Sequence, residues 1–422
     1  MGKQLDTAAS EFAKHMDARI ASYFTSCVHC GMCAEACHFY QETGDPRYTP
    51  IYKLEPMRKI WKEQYTFWGK FSVKMGWSKP LSEKELADWQ DLIYDSCTLC
   101  GRCSMVCPVG NDIAYMVRKE REGMSAAGYA PDGLKGALDR SLKIGSPMGV
   151  TLKALKAQIR PAEEETGLKI NIDKVGADYL VLLSSMEIMG FSEVIGSMAK
   201  IFDQAGVTWT FSSDYFEATN TGIQIGSSKD AAELVGRIVK AAEKLQVKGV
   251  ISPECGHAYT AIRWDAPNLL GKKLPFKVIH ILELLDELRK EGRIKTEGLD
   301  ATPMTFHDPC SLVRKGGVIK EPRNLMHMVA KDVREMHDHG EMNWCCGGGG
   351  GVSAIEEAAP LRNNAFRIKK KQLEDLGVKK LVTACANCRI TIMDGLEEYE
   401  MYDVDVVGLT DLVAEHLADQ PK

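Results

Sequence analysis

Apolar and polar positions follow two rhythms along the chain, and the change falls near residue 176. Before it the spacing is helical. Residues 1–26 read as an amphipathic helix leading to a first group of cysteines, and residues 51–65 and 82–95 carry the same periodicity. The last of these opens on Ser82 with Glu85 three positions on, the spacing of a capping box. Thr66–Lys79 breaks the rhythm: Phe71, Val73, Met75 and Trp77 alternate with Ser72, Lys74, Gly76 and Ser78, the period of a half-buried strand. Residues 128–147 are punctuated by Gly and Pro, and 151–175 read as a charged, partly helical linker. After 176 short apolar runs alternate with helical stretches. Strands are predicted at 179–183, 207–211, 248–252, 276–280, 303–307, 379–383 and 403–407, and helices at 229–245 and 361–376. That is an α/β pattern with parallel strands.

This second half is also repeated. RIVKAAEKLQVKGVISPEC (237–255) parallels RIKKKQLEDLGVKKLVTAC (367–385), and VIHILELLDEL (278–288) parallels VVGLTDLVAEHL (406–417). The offset is about 130 residues in both cases. The expected organisation is a first domain over 1–150, the linker over 151–175, and two copies of one α/β unit over 176–300 and 301–422.

Length and charge narrow the class. The 422 residues, 45% hydrophobic and 26% charged, describe a multidomain globular chain. A net charge of -5 excludes a bulk-basic nucleic-acid binder, so no nucleic-acid partner is expected. No apolar run approaches the roughly 18–20 residues of a membrane helix, and Lys14, Asp17 and Arg19 stand where an export signal needs apolar residues.

The cysteines change the picture most. There are 14, and all but Cys255 fall into groups. Cys27, Cys30, Cys33 and Cys37, and again Cys97, Cys100, Cys103 and Cys107, share the CxxCxxCxxxC spacing of two-cluster ferredoxin modules. In such modules the fourth cysteine crosses over, because it begins a helix and points away from its own loop. Cys27, Cys30, Cys33 and Cys107 are therefore expected to hold one [4Fe-4S] cube, and Cys97, Cys100, Cys103 and Cys37 the other. Gly31 and Gly101 are expected to let backbone approach inorganic sulfide. His29 reads as a loop filler, and His38 replaces the usual Pro after the fourth cysteine. Two zinc knuckles are the alternative, but closed four-ligand sites do not need eight interlocked cysteines.

A second constellation is Cys310, Cys345-Cys346-Gly347 and Cys385-x-x-Cys388. Adjacent cysteines diverge and suit a multi-iron assembly rather than one ion. The run Gly347–Gly351 is expected to bring main-chain N–H groups to anionic sulfur, and Ser353-x-x-Glu356 to cap the next helix. The first repeat has Asn220-Thr221-Gly222 where the second has its cysteine pair, and Cys255-x-x-Ala258 where the second has Cys385-x-x-Cys388. Cys255, flanked by Glu254 and His257, is either an inert buried thiol or a thiol at the site. His257 and His307 are candidate proton donors to a departing thiolate. Arg367–Lys371 reads as a solvated helix face.

Taken together these motifs resemble the CCG-domain iron–sulfur family, over nearly the whole chain. That family includes the D-type subunit of heterodisulfide reductase, DsrK, the related component of the transmembrane redox complex of sulfate reducers, and glycolate oxidase iron–sulfur subunits. The stretch Pro253–Tyr259 is closer to the first two. The resemblance implies an α+β and α/β chain: an N-terminal helical two-cluster ferredoxin module followed by two repeated α/β CCG-type units, the first degenerate. It implies two cubane clusters and one noncubane cluster on Cys310, Cys345, Cys346, Cys385 and Cys388; the match between the repeats places Cys255 and His257 beside it. It also implies an oxidoreductase subunit of a hetero-oligomer, cytoplasmic and peripheral on the inner face of the cell membrane. Its partners would be a cytochrome b-type membrane subunit, a multihaem cytochrome, and a small sulfur-carrier protein or small disulfide. The competing expectation is an electron-transfer subunit of a flavin-dependent 2-hydroxy-acid dehydrogenase; a zinc-stabilised interaction protein is a third.

Overall fold

The computed structural model describes residues 3–419. By internal contacts the chain divides into two compact units, and the cut does not follow the expected domain boundaries. The first unit holds residues 1–136, 222–228 and 347–368; the second holds 137–221, 229–346 and 369–422. Each repeat thus sends a segment into the first unit, and each segment leaves at the same motif position, directly after Thr221 or Cys346.

The first unit is helical. Helices Lys3–His15, Ala18–Ser26, Glu55–Tyr65 and Ile113–Ala126 bury an apolar stripe that includes Phe12, Ile20, Met57 and Val117. The expected single N-terminal helix is two, because Asp17 caps a new start by accepting from the Ile20 N–H at 2.8 Å. The capping box at Ser82 and Glu85 forms as its spacing predicts. The strand expected within Thr66–Lys79 does not form. Thr66 instead caps a helix, Phe67–Lys74, in which no residue is buried. The alternation covers only four apolar positions, and no neighbouring strand offers it a ladder; an isolated strand is marginal in water.

The second unit carries all seven predicted strands, here β1 (Tyr179–Val181), β2 (Trp209–Thr210), β3 (Gly249–Ser252), β4 (Lys277–His280), β5 (Met304–His307), β6 (Lys380–Thr383) and β7 (Asp405–Gly408). They form two parallel sheets in the orders β2-β1-β3-β4 and β5-β6-β7. Strands β3 and β5 are buried along their whole length, including the polar residues Ser252, Thr305 and His307. One continuous core, from Leu180 and Val250 to Phe306, Val382 and Leu412, joins both sheets. The expected linker is not a linker. Thr151 caps helix Leu152–Thr166, which buries Leu155, Ile159 and Ala162 against that core. Ser353 does not cap a helix either: residues 349–354 and 356–358 form short 3-10 turns, and the helix starts at Ala359.

Candidate metal centres

Within the first unit the two cysteine loops share one backbone. His29 and Leu99, each just before the second cysteine, have φ of 54° and 53°, and Gly31 and Gly101, just after it, both have φ of 81°. The glycines meet a conformational demand, since a Cβ at Gly31 would touch nothing within 4 Å. Each loop wraps the start of a short helix, and Cys37 caps helix His38–Thr43, directing its side chain away from its own loop.

The cysteines consequently line two cavities in crossed sets. Cys27, Cys30, Cys33 and Cys107 line one. Cys37, Cys97, Cys100 and Cys103 line the other. Four thiols in each fit a pair of like cofactors. Burial raises the thiols of Cys33, Cys37 and Cys103 above their ordinary value, so metal binding must displace protons there. Lys53, only 2% exposed, lines the second cavity and donates to the Ser96 carbonyl. Its charge opposes the rise at Cys37. The first cavity faces outward: Cys30 is exposed, and His29 accepts from Arg58 at 2.5 Å. Cys37→Ala is expected to destroy the centre of Cys97, Cys100 and Cys103 and spare the one nearer in sequence. Redox titration followed by EPR checks this, and selective loss at the other centre would reverse the partition.

A buried arginine organises the second loop. Arg121 donates to the carbonyls of Ile93 at 3.0 Å, Cys97 at 2.8 Å, Gln224 at 2.7 Å and Gly350 at 2.6 Å. It therefore ties the cysteine loop to both segments lent by the repeats. The glycine run serves the same junction. Gly350, at φ 63°, lies so near Thr98 that a Cβ would stand 2.8 Å from its carbonyl oxygen. At Gly349 and Gly350 the demand is contact with the Thr98 backbone. Nothing in the charged run Arg118–Glu122 distinguishes Arg121 as the buried clamp.

The second unit gathers its cysteines into one string of sulfurs. Cys310 and Cys345 are 3.8 Å apart. Cys345, Cys388 and His307 surround Cys346 and hold its thiol well below the ordinary value. Cys385 is lowered likewise by Cys255 and Cys388. Cys255 and Cys385 are structural equivalents: each follows a central strand and caps a helix, with φ of -153° and -156°. The two differ in charge: the thiolate is favoured at Cys385, while the contact with Cys385 and burial raise the Cys255 thiol well above its ordinary value. All six sulfurs are buried and none is in a disulfide. Six exceed the four donors of a closed zinc site and fit a multi-iron group.

The surroundings of the string are charged and buried. His307 lies with Cys346 and Cys388 so that their ligand atoms fall within 4.8 Å of one another, while its ring nitrogens are buried. Lys369 is 1% exposed, so the 367–371 run is not wholly a solvated face. Burial pushes its amine down to about 8 against the pull of Asp308 and Cys346. Asp308 takes a two-pronged hydrogen bond from Arg323 at 2.7 and 2.8 Å and a third from Gly340 N–H at 2.6 Å. On the side of Cys255, burial lifts Glu187 to about 8 and Glu254 to about 7. Glu187 accepts from Glu254 N–H at 3.2 Å, and Glu254 accepts from Thr410 at 2.7 Å. His257, by contrast, donates its Nε2 proton to the Asn220 carbonyl at 3.1 Å, a contact that holds the loop. Lys369 carries no local sequence signal, and Glu187 reads only as the far half of a capping box with Ser184.

Comparison with known proteins defines the class. Residues 23–111 match the 4Fe-4S dicluster domain family, and residues 304–393 match the cysteine-rich (CCG) domain family. Both matched segments and the names of the relatives mark the chain as an iron–sulfur oxidoreductase with an electron-transfer role. Within that class it is similar to the Hdr-like menaquinol oxidoreductase iron-sulfur subunit of Archaeoglobus profundus, at 29% identity over 85% of this chain and 73% of that one. It is also similar to the D-type subunit of dihydromethanophenazine:CoB–CoM heterodisulfide reductase from Methanosarcina acetivorans, at 28% identity over 93% of each chain. A third relative, EtfAB:quinone oxidoreductase of Syntrophomonas wolfei, is 26% identical over 89% of this chain and 55% of that one. Among the described residues no helix is long and apolar enough to cross a membrane.

Proposed function

We propose that this chain is the cytoplasmic iron–sulfur catalytic subunit of a membrane-associated redox complex, carrying electrons between a quinol-linked cytochrome b partner and a disulfide- or trisulfide-type sulfur substrate. The observation that carries this reading is the unbroken string of six buried sulfurs from Cys310 to Cys255, with His307 beside it. Thiol–disulfide exchange needs one Cys pair, so a string this long points to metal. Cys310, Cys345, Cys346, Cys385 and Cys388 would hold a noncubane cluster, and the two crossed sets of four would each hold a [4Fe-4S] cube. When bound, such a cluster would supply one-electron chemistry at sulfur.

The chain's own residues do the rest. Exposed Cys30 places the first cavity's edge within reach of a donor. Reducing a disulfide consumes two electrons, drawn from the quinol through the partner, and two protons, and releases two thiols. Glu254 and Glu187 are held near neutral pKa next to Cys255, where they can keep protons for the products. A multihaem cytochrome and a sulfur-carrier protein or small disulfide complete the expected set of partners, on the inner face of the cell membrane. The names of the relatives, menaquinol oxidoreductase and heterodisulfide reductase, support both ends of this route.

The test is anaerobic purification of the intact complex, reduction with a menaquinol analogue, and addition of a small disulfide. Quinol-dependent thiol release with reoxidation of the clusters is expected. Co-purification with a flavoprotein, and clusters that a disulfide leaves reduced, would replace this reading with the 2-hydroxy-acid dehydrogenase alternative.

A further inference from the structure

The surface of the first unit carries an apolar feature that the redox centres do not use. Helix Phe67–Lys74 and the turn after it expose Phe67 by 74%, Trp68 by 73% and Trp77 by 71%, with Met75 half exposed. The rings form one patch, because successive edge-to-face contacts link Phe67 to Trp68 at 5.5 Å, Trp68 to Phe71 at 6.1 Å and Phe71 to Trp77 at 5.5 Å. Side chains ordered against one another but not against a core are what a docking surface presents.

The charge around the patch selects its occupant. From Gln64 to Ser82 there is no acidic residue, although the chain carries a net charge of -5. Lys70, Lys74 and Lys79 fall within this stretch. Aromatic rings bordered by lysines match the interface of an anionic bilayer: rings settle at headgroup depth while amines meet phosphates. We propose that Phe67–Lys79 is an interfacial anchor that seats this chain on an anionic lipid surface. It deepens the membrane-associated reading and rests on it for biological setting, but it needs neither the sulfur substrate nor a cytochrome. A membrane-embedded protein is the competing occupant.

The experiment uses the full, cluster-loaded chain alone, floated with vesicles of phosphatidylcholine or of phosphatidylcholine mixed with phosphatidylglycerol. Binding to the anionic vesicles is expected, weakening as salt rises. Phe67→Ser combined with Trp68→Ser and Trp77→Ser should reduce it roughly tenfold or more while iron content stays unchanged. Lys70→Gln with Lys74→Gln and Lys79→Gln should abolish the preference for anionic lipid. Failure of the wild type to float, or undiminished binding of the serine variant, overturns the anchor. If the serine variant loses iron, quenching of wild-type tryptophan fluorescence by brominated lipid decides, and its absence overturns the proposal. Because the assay contains no quinol or disulfide, a negative result leaves the proposed activity standing with a protein as the docking partner.

Discussion

Cys346→Ser is expected to remove the noncubane centre entirely and leave both cubes in place. Cys346 sits at the middle of the sulfur string, with Cys345 on one side, Cys388 on the other and His307 against it. Together with Cys385, its thiol is the one its neighbours most favour as thiolate. A serine hydroxyl at this buried position stays protonated near neutral pH and is a poor donor to iron, so one replacement breaks the string where it is most connected. The cysteines of the two crossed sets belong to other loops and line other cavities. Low-temperature EPR after thiol oxidation should show no signal from the CCG cysteines, and iron should fall by one cluster's complement. Disulfide reduction should drop to background. Loss of the cube signals in a protein that still folds would show that the ligand sets are wrongly divided.

Arg121→Met should damage the other unit as severely, through stability. Arg121 is fully buried, stacks with its guanidinium 4.7 Å from the Tyr94 ring centre, and satisfies four carbonyls drawn from three separate stretches of chain. Methionine fills similar volume but leaves those acceptors without a donor, at about 1–3 kcal/mol each before relaxation. Removing a buried charge returns part of this, so the net loss is expected at roughly 3–5 kcal/mol. Burial already holds the guanidinium below its ordinary pKa, with Cys97 opposing that shift. The same substitution should therefore make the centre at Cys97 harder to reduce. Anaerobic denaturant unfolding and a redox titration measure the two effects. A change under about 1 kcal/mol would mean that water or relaxation satisfies the carbonyls and that the clamp is incidental.

Much of this protein was legible from spacing alone. The seven strands, the parallel sheets and the doubling of the α/β unit follow from short apolar runs and from recurring words, which are local properties of the chain. The crossed cysteine sets were legible for the same reason: loop spacing and a helix start at Cys37 decide where a side chain points before any packing occurs. The equivalence of Cys255 and Cys385 also follows from the repeat, and both cap helices in one conformation. The Thr66–Lys79 segment failed because four alternating positions are too few to choose between strand and helix when no partner strand is present.

What the sequence by itself determined, then, is the inventory of elements and the grouping of the cysteines, because hydrophobic period and cysteine spacing are written within a few residues. What only the tertiary structure decided is which charged groups go inside and where the chain leaves one unit for another. Arg121, Lys369 and Glu187 sit in ordinary charged or capping stretches, and their burial depends on acceptors and neighbours far away in sequence. The departures at Thr221 and Cys346 obey the same rule: residues 222–228 and 347–368 pack with the first unit because Arg121 and the Thr98 backbone satisfy and fit them there. Partners brought together only by folding set such choices, and no periodicity records them.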